Sequence, residues 1–138
     1  MNTHFVSTEF KGGMAFTSHI KEHSLVTDTT PEDGGNNEGP GPKRLMLVSL
    51  AGCTGIDVVG ILNKMKVSFS DLSIDTEATL SETHPRTYVH VKVVYKIKLA
   101  EENQVKMEKA VNLSVDKYCG VMAMFKTFAK LETGIVYL

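Results

Sequence analysis

From Lys43 to Lys66 apolar residues lie nearly all round a helix, through Leu45, Leu47, Leu50, Ile56, Val58 and Leu62, and few architectures can hide such a segment. Pro42 suits the first helical turn, where a missing N–H costs nothing. A helix apolar on every side is expected to be largely buried. Gly52, Gly55 and Gly60 weaken a helix interior, which a buried helix tolerates where another backbone comes close. No uninterrupted apolar run approaches the roughly 18–20 residues of a spanning segment. The opening Met-Asn-Thr-His-Phe-Val lacks a basic stretch leading into an apolar core and cleavage site. These features point to a cytoplasmic protein with no membrane partner.

The segments around this helix are strand-like. Residues 3–10 and the alternating run from Met14 to His19 flank Lys11-Gly12-Gly13, which reads as a hairpin turn, and Ser24 to Thr27 is a third short strand. Asp28 to Pro42 holds three of the four prolines and several glycines. A loop of about 15 residues in a compact chain is functional or mobile. Residues 69–81 alternate, with Leu72, Ile74, Thr76, Ala78 and Leu80 on one side. After a turn at Glu82 to Arg86, residues 88–99 alternate again, and Val89, Val91, Val93, Tyr95, Ile97 and Leu99 are expected to face the core. Glu101 and Glu102 open a second helix at its positive dipole end. Cys119-Gly120 interrupts it, Val121 to Lys130 resumes as a short apolar helix, and Ile135 to Leu138 forms a last strand. Strands, long helix, two strands, two helices and a strand make an α+β fold rather than an alternating one. The length of 138 residues fits one domain over residues 1–138.

The formal charge of −1 gives no basic excess to steer a phosphate backbone, so no nucleic-acid partner is expected. Two cysteines do not make a disulfide scaffold. In a reducing compartment such a pair is inert, metal-binding or redox-active. Cys53 lies among small and apolar residues, where a buried thiol is inert core. Asp57, one turn on, disfavours a second negative charge unless it accepts a proton or pairs with a cation. Cys119 falls between two helices. There it is either a small residue at a corner or, beside the amides of the next helix and Lys117, the more acidic thiol. The histidines, at 4, 19, 23, 84 and 90, show no metal spacing with each other or with a cysteine, and His90 reads as a surface residue. Nothing calls for a cofactor.

Gly41-Pro42-Lys43-Arg44-Leu45-Met46-Leu47, continuing to Ala51-Gly52-Cys53-Thr54-Gly55-Ile56-Asp57-Val58, together with Asp116-Lys117-Tyr118-Cys119-Gly120-Val121, resembles the OsmC/Ohr family. The 66-residue separation of the cysteines and the element order match it too. Glu82-Thr83-His84-Pro85-Arg86-Thr87 and Asp57-Val58 resemble its YhfA-like branch.

The resemblance implies an OsmC-like fold: an intertwined homodimer, its long helices packed centrally, its sheets wrapped around them, its sites at the subunit interface. It implies that Cys53 attacks an organic or inorganic hydroperoxide and becomes a sulfenic acid, and that Cys119 resolves this as a disulfide. A small or lipoylated dithiol then reduces the disulfide. The electrostatic ranking of the thiols runs the other way. Peroxidase members carry a catalytic Arg in the N-terminal strands and a Glu after the Pro that opens the long helix. Here the arginines are Arg44 and Arg86, and Lys43 follows Pro42. The alternative is a non-catalytic dimer of this fold that binds a small apolar ligand or a partner protein, its cysteines structural. Metal binding by Cys53, Cys119 and a histidine is a third idea.

Overall fold

The computed structural model describes residues 1–138. Its elements run β1 (Ser7–Gly12), β2 (Ala15–Ile20), β3 (His23–Thr27), α1 (Pro42–Lys64), β4 (Phe69–Leu80), β5 (Tyr88–Leu99), α2 (Gln104–Leu113), α3 (Gly120–Phe125) and β6 (Lys130–Tyr137). The order is the α+β one expected. The chain divides into two compact units, Met1–Met46 and Leu47–Leu138.

In the first unit β1, β2 and β3 form an antiparallel meander. Gly12 and Gly13 have positive φ, which lets the chain reverse between β1 and β2. The loop after β3 is ordered around one carboxylate. Asp28 is buried and accepts the backbone amides of Thr29 (2.7 Å), Asn36 (3.2 Å) and Glu38 (3.0 Å). Those bonds to its charged form hold its pKa below the ordinary carboxylate value, the Glu38 amide first. Gly39 is required because a Cβ there would run into the Val26 carbonyl.

In the second unit β5 is the central strand, antiparallel to β4 and parallel to β6. Val91, Val93, Tyr95 and Ile97 on β5 pack with Leu50, Val58 and Leu62 on α1, Met107, Ala110 and Val111 on α2, and Met122 and Phe125 on α3. Two bulges set the phase of the hairpin. Asp71, at φ +54°, is the extra residue between Ser70 and Ser73. Val89 is extra between Tyr88 and His90. A bulge turns the alternation by one residue, so Tyr88 is buried and Val89 exposed, the reverse of the strict alternation read from sequence.

The expectation for α1 also changes. One stripe at four-residue spacing, Leu50, Thr54, Val58 and Leu62, is buried, whereas Val48 and Ile56 stand exposed, Ile56 at 76 %. A helix lying on one sheet buries one face and covers its flanks only in part, with Leu47 and Ile61 half-buried against the core and Val48 and Ile56 left exposed. Of the three interior glycines, a Cβ at Gly55 would press on the Ile74 side chain at 3.1 Å, while Gly52 and Gly60 face open space. By length and composition α1 is apolar enough to cross a membrane, contrary to the sequence expectation. Its Gly, Ser and Thr residues interrupt the apolar letters but lower hydropathy little.

The final segment differs too. α3 stops at Phe125, tight turns carry the chain through Ala129, and β6 begins at Lys130 opposite His90. The pattern of Val121 to Lys130 suits a helix, but parallel pairing with a strand 40 residues earlier captures its end.

Candidate functional site

α1 and the turn before α3 bring the two cysteines together. Cys53 is half-buried on α1 and Cys119 is 3 % exposed; both are free thiols, and they lie close enough for Cys53 to act on the Cys119 thiol. A widened π turn, Ser114–Tyr118, precedes Cys119 and ends with the Cys119 amide donating to the Ser114 carbonyl at 2.8 Å. Such turns admit an extra residue and re-aim the chain beyond them. Cys119 then leaves helical geometry (φ −77°, ψ 105°) and caps α3, its Sγ accepting the Met122 amide at 3.2 Å.

That capping bond is the electrostatic help anticipated from sequence, and burial outweighs it. Desolvation first, then the neighbouring Cys53 thiol and the charge of Asp57, push the Cys119 thiol up to about 11. Burial therefore overturns the expectation that the helix end and Lys117 make Cys119 acidic. Lys117 does not relieve it: its ammonium lies over the Tyr118 ring, 5.2 Å from the centroid. Lys43 and Arg44 belong to the first compact unit and Cys53 to the second.

Beside the thiols runs a buried polar row that composition and motif reading did not single out. Tyr95 Oη is 2.7 Å from Thr54 Oγ1, Thr54 Oγ1 is 2.7 Å from Ser114 Oγ, and Ser114 Oγ donates to Asp57 Oδ2 at 2.9 Å. Burial, with the charges of Cys119 and Asp57, raises the Tyr95 pKa against the lowering effect of the bond it shares with Thr54, so its hydroxyl stays protonated. A signal for this row was present. Thr54 falls on the buried stripe of α1, and Tyr95 carries a hydroxyl into the core from β5. Asp57 also borders an open cleft of about 580 Å³ formed with Ile56 and Ile61 of α1, Lys109 and Leu113 of α2, and Tyr118.

His90 Nε2 lies 3.1 Å from Glu132 on the sheet surface. No group of three or more His, Cys, Asp or Glu side chains converges in a way that would hold a metal.

The sequence model for OsmC-like proteins matches residues 34–134. Protein YhfA of Escherichia coli K12 is 30 % identical over 104 residues, 75 % of each chain. The crystal structure of a hypothetical protein from Aquifex aeolicus VF5 superposes over all of this chain and 98 % of its own, with a TM-score of 0.86 at 28 % identity. A Legionella pneumophila structure titled an organic hydroperoxide resistance protein OsmC has the same fold, covering 99 % of this chain and 98 % of its own, with a TM-score of 0.70 at 18 % identity. With the family match spanning most of its length, the chain belongs to the OsmC-like protein family.

Proposed function

We propose that the protein is a thiol-dependent redox protein that reduces hydroperoxides through Cys53 and Cys119. The observation that carries this is the nearness of two free thiols 66 residues apart in sequence, one half-buried and one sealed, with the first acting on the second. The family, with relatives titled organic hydroperoxide resistance proteins, supplies the substrate class.

The Cys53 thiolate attacks the terminal peroxide oxygen, the O–O bond breaks, and the alkoxide leaves as the alcohol on taking a proton. Cys53 is now a sulfenic acid. Cys119 attacks that sulfur, the S–S bond forms, and hydroxide departs as water. A dithiol, small or lipoylated, reduces the disulfide by exchange and is itself oxidised to a cyclic disulfide. A high thiol pKa suits the resolving role, because Cys119 stays neutral and does not compete for peroxide. The cytoplasm, a reducing compartment, returns the pair to the dithiol between turnovers. We place the site at the interface of a homodimer, supported by the uncovered apolar face of α1.

With dithiothreitol or a dihydrolipoyl donor, wild type consumes cumene hydroperoxide. Cys53→Ser abolishes consumption, and Cys119→Ser accumulates a sulfenic acid that dimedone traps, read by mass spectrometry. Equal, slow consumption by wild type and Cys53→Ser sinks the proposal. A second reading, a non-catalytic dimer that binds an apolar ligand or partner protein, is favoured by the raised Cys119 pKa and by Lys43 standing after Pro42 with no arginine in residues 1–42. It predicts that neither thiol reacts with a disulfide reagent until the protein is denatured.

A further inference from the structure

The row from Tyr95 to Asp57 has a forced direction. A hydroxyl donates one proton. Ser114 commits its proton to the Asp57 carboxylate, so Thr54 donates to Ser114 and Tyr95 donates to Thr54. Three buried hydroxyls thus point one way and hold one carboxylate in one orientation. No buried side-chain nitrogen or oxygen is left without a partner.

The same row touches both thiol-bearing segments. Thr54 adjoins Cys53, and the Ser114 carbonyl receives the Cys119 amide. Asp57 follows Cys53 by one helical turn, the spacing that puts two side chains on one face. The titratable and charged groups facing this region are Cys53 and Asp57 from α1, Cys119 at the head of α3 and Tyr95 from β5. Lys64, Lys109 and Tyr118 share the cleft with Asp57. A carboxylate that only sat beside the thiols would hinder their ionisation; one that takes a thiol proton would help.

We propose that Asp57 is the general base for disulfide closure, held in place by the positioning residues Tyr95, Thr54 and Ser114. This role rests on Cys53 and Cys119 acting as a redox pair. As Cys119 Sγ attacks Cys53 Sγ, the Cys119 thiol proton passes to Asp57. The S–S bond forms as the S–O bond of the sulfenic acid breaks. The departing hydroxide takes the proton from Asp57, leaves as water, and the carboxylate is restored.

Closure can be read without a hydroperoxide, using 4,4′-dithiodipyridine. Cys53 attacks the reagent and releases one thiopyridone; Cys119 then attacks the mixed disulfide and releases a second. Asp57→Asn is expected to slow the second phase at pH 7 by about 10²-fold and to leave the first no slower. Ser114→Ala, which keeps the carboxylate but frees it, slows the second phase less. The sign decides between roles: if Asp57 merely adds negative charge, Asn makes the thiol more acidic and the second phase faster. A faster or unchanged second phase overturns the proposal, as does a wild type that shows no second phase.

Should Asp57→Asn fail to fold, the wild-type pH profile decides. Base-assisted closure is flat between about pH 6 and about pH 9, whereas closure limited by free thiolate climbs about tenfold per pH unit and overturns the role. Normal closure that depends on Asp57, without hydroperoxide turnover, rejects the peroxidase function alone. Turnover with closure indifferent to Asp57 rejects the base alone.

Discussion

Among the residues, the most informative is Thr54. It sits at 0 % exposure on a stripe of otherwise apolar side chains, and its hydroxyl is the middle of the Tyr95–Thr54–Ser114 row. Valine has nearly its shape without the hydroxyl. Thr54→Val leaves the Tyr95 hydroxyl with no acceptor and Ser114 with no donor, both in the core. Stranding buried polar groups costs about 1–3 kcal/mol, to be measured as a lowered urea midpoint with an unchanged m-value. A loss below the error of the measurement would mean that water or a shifted side chain satisfies the row. Neither cysteine's environment was legible as a magnitude. The neighbours Met122 and Asp57 lie close in sequence to one thiol each, but the core in which Cys119 is buried also draws on β5 and α1, far along the chain.

At the scale of elements, the loop after β3 shows how one side chain orders a glycine- and proline-rich segment. The amides of Thr29, Asn36 and Glu38 converge on the ionised Asp28 carboxylate. Its folded pKa lies below the ordinary 3.8. The ordering contribution is therefore complete above that value and disappears as pH falls below it and through the depressed folded value. Hydrogen exchange is expected to show the Asn36 and Glu38 amides protected at pH 5 and losing protection below about pH 4, before the β4–β5 amides do. Asp28→Asn should remove the protection at every pH. Loss of both regions together would show that the loop has no separate stability. The strands themselves were legible because alternation is local; the bulges at Asp71 and Val89 were not, because register belongs to a pair of strands. For the same reason β6 was foreseen several residues short.

For the whole molecule, the question is what covers the exposed face of α1. Val48 and Ile56 stand on it, and the homodimer we propose would bury it. Sedimentation is expected to give twice the 15.2 kDa chain mass. Ile56→Asp, which puts a charge on that face while sparing the buried stripe, should shift the protein toward the chain mass with its circular dichroism kept. A wild type that sediments as a single chain at micromolar concentration would remove the interface, and with it the placing of the thiols at a subunit boundary. By itself the sequence determined the α+β class, the element order, the family and the two thiols to watch, because periodicity, turn chemistry and motif spacing are written along the chain. Only the tertiary structure decided that these thiols meet, that burial rather than a helix end governs Cys119, and that three hydroxyls aim Asp57. Desolvation and hydrogen-bond direction depend on groups that folding alone brings within a few ångströms.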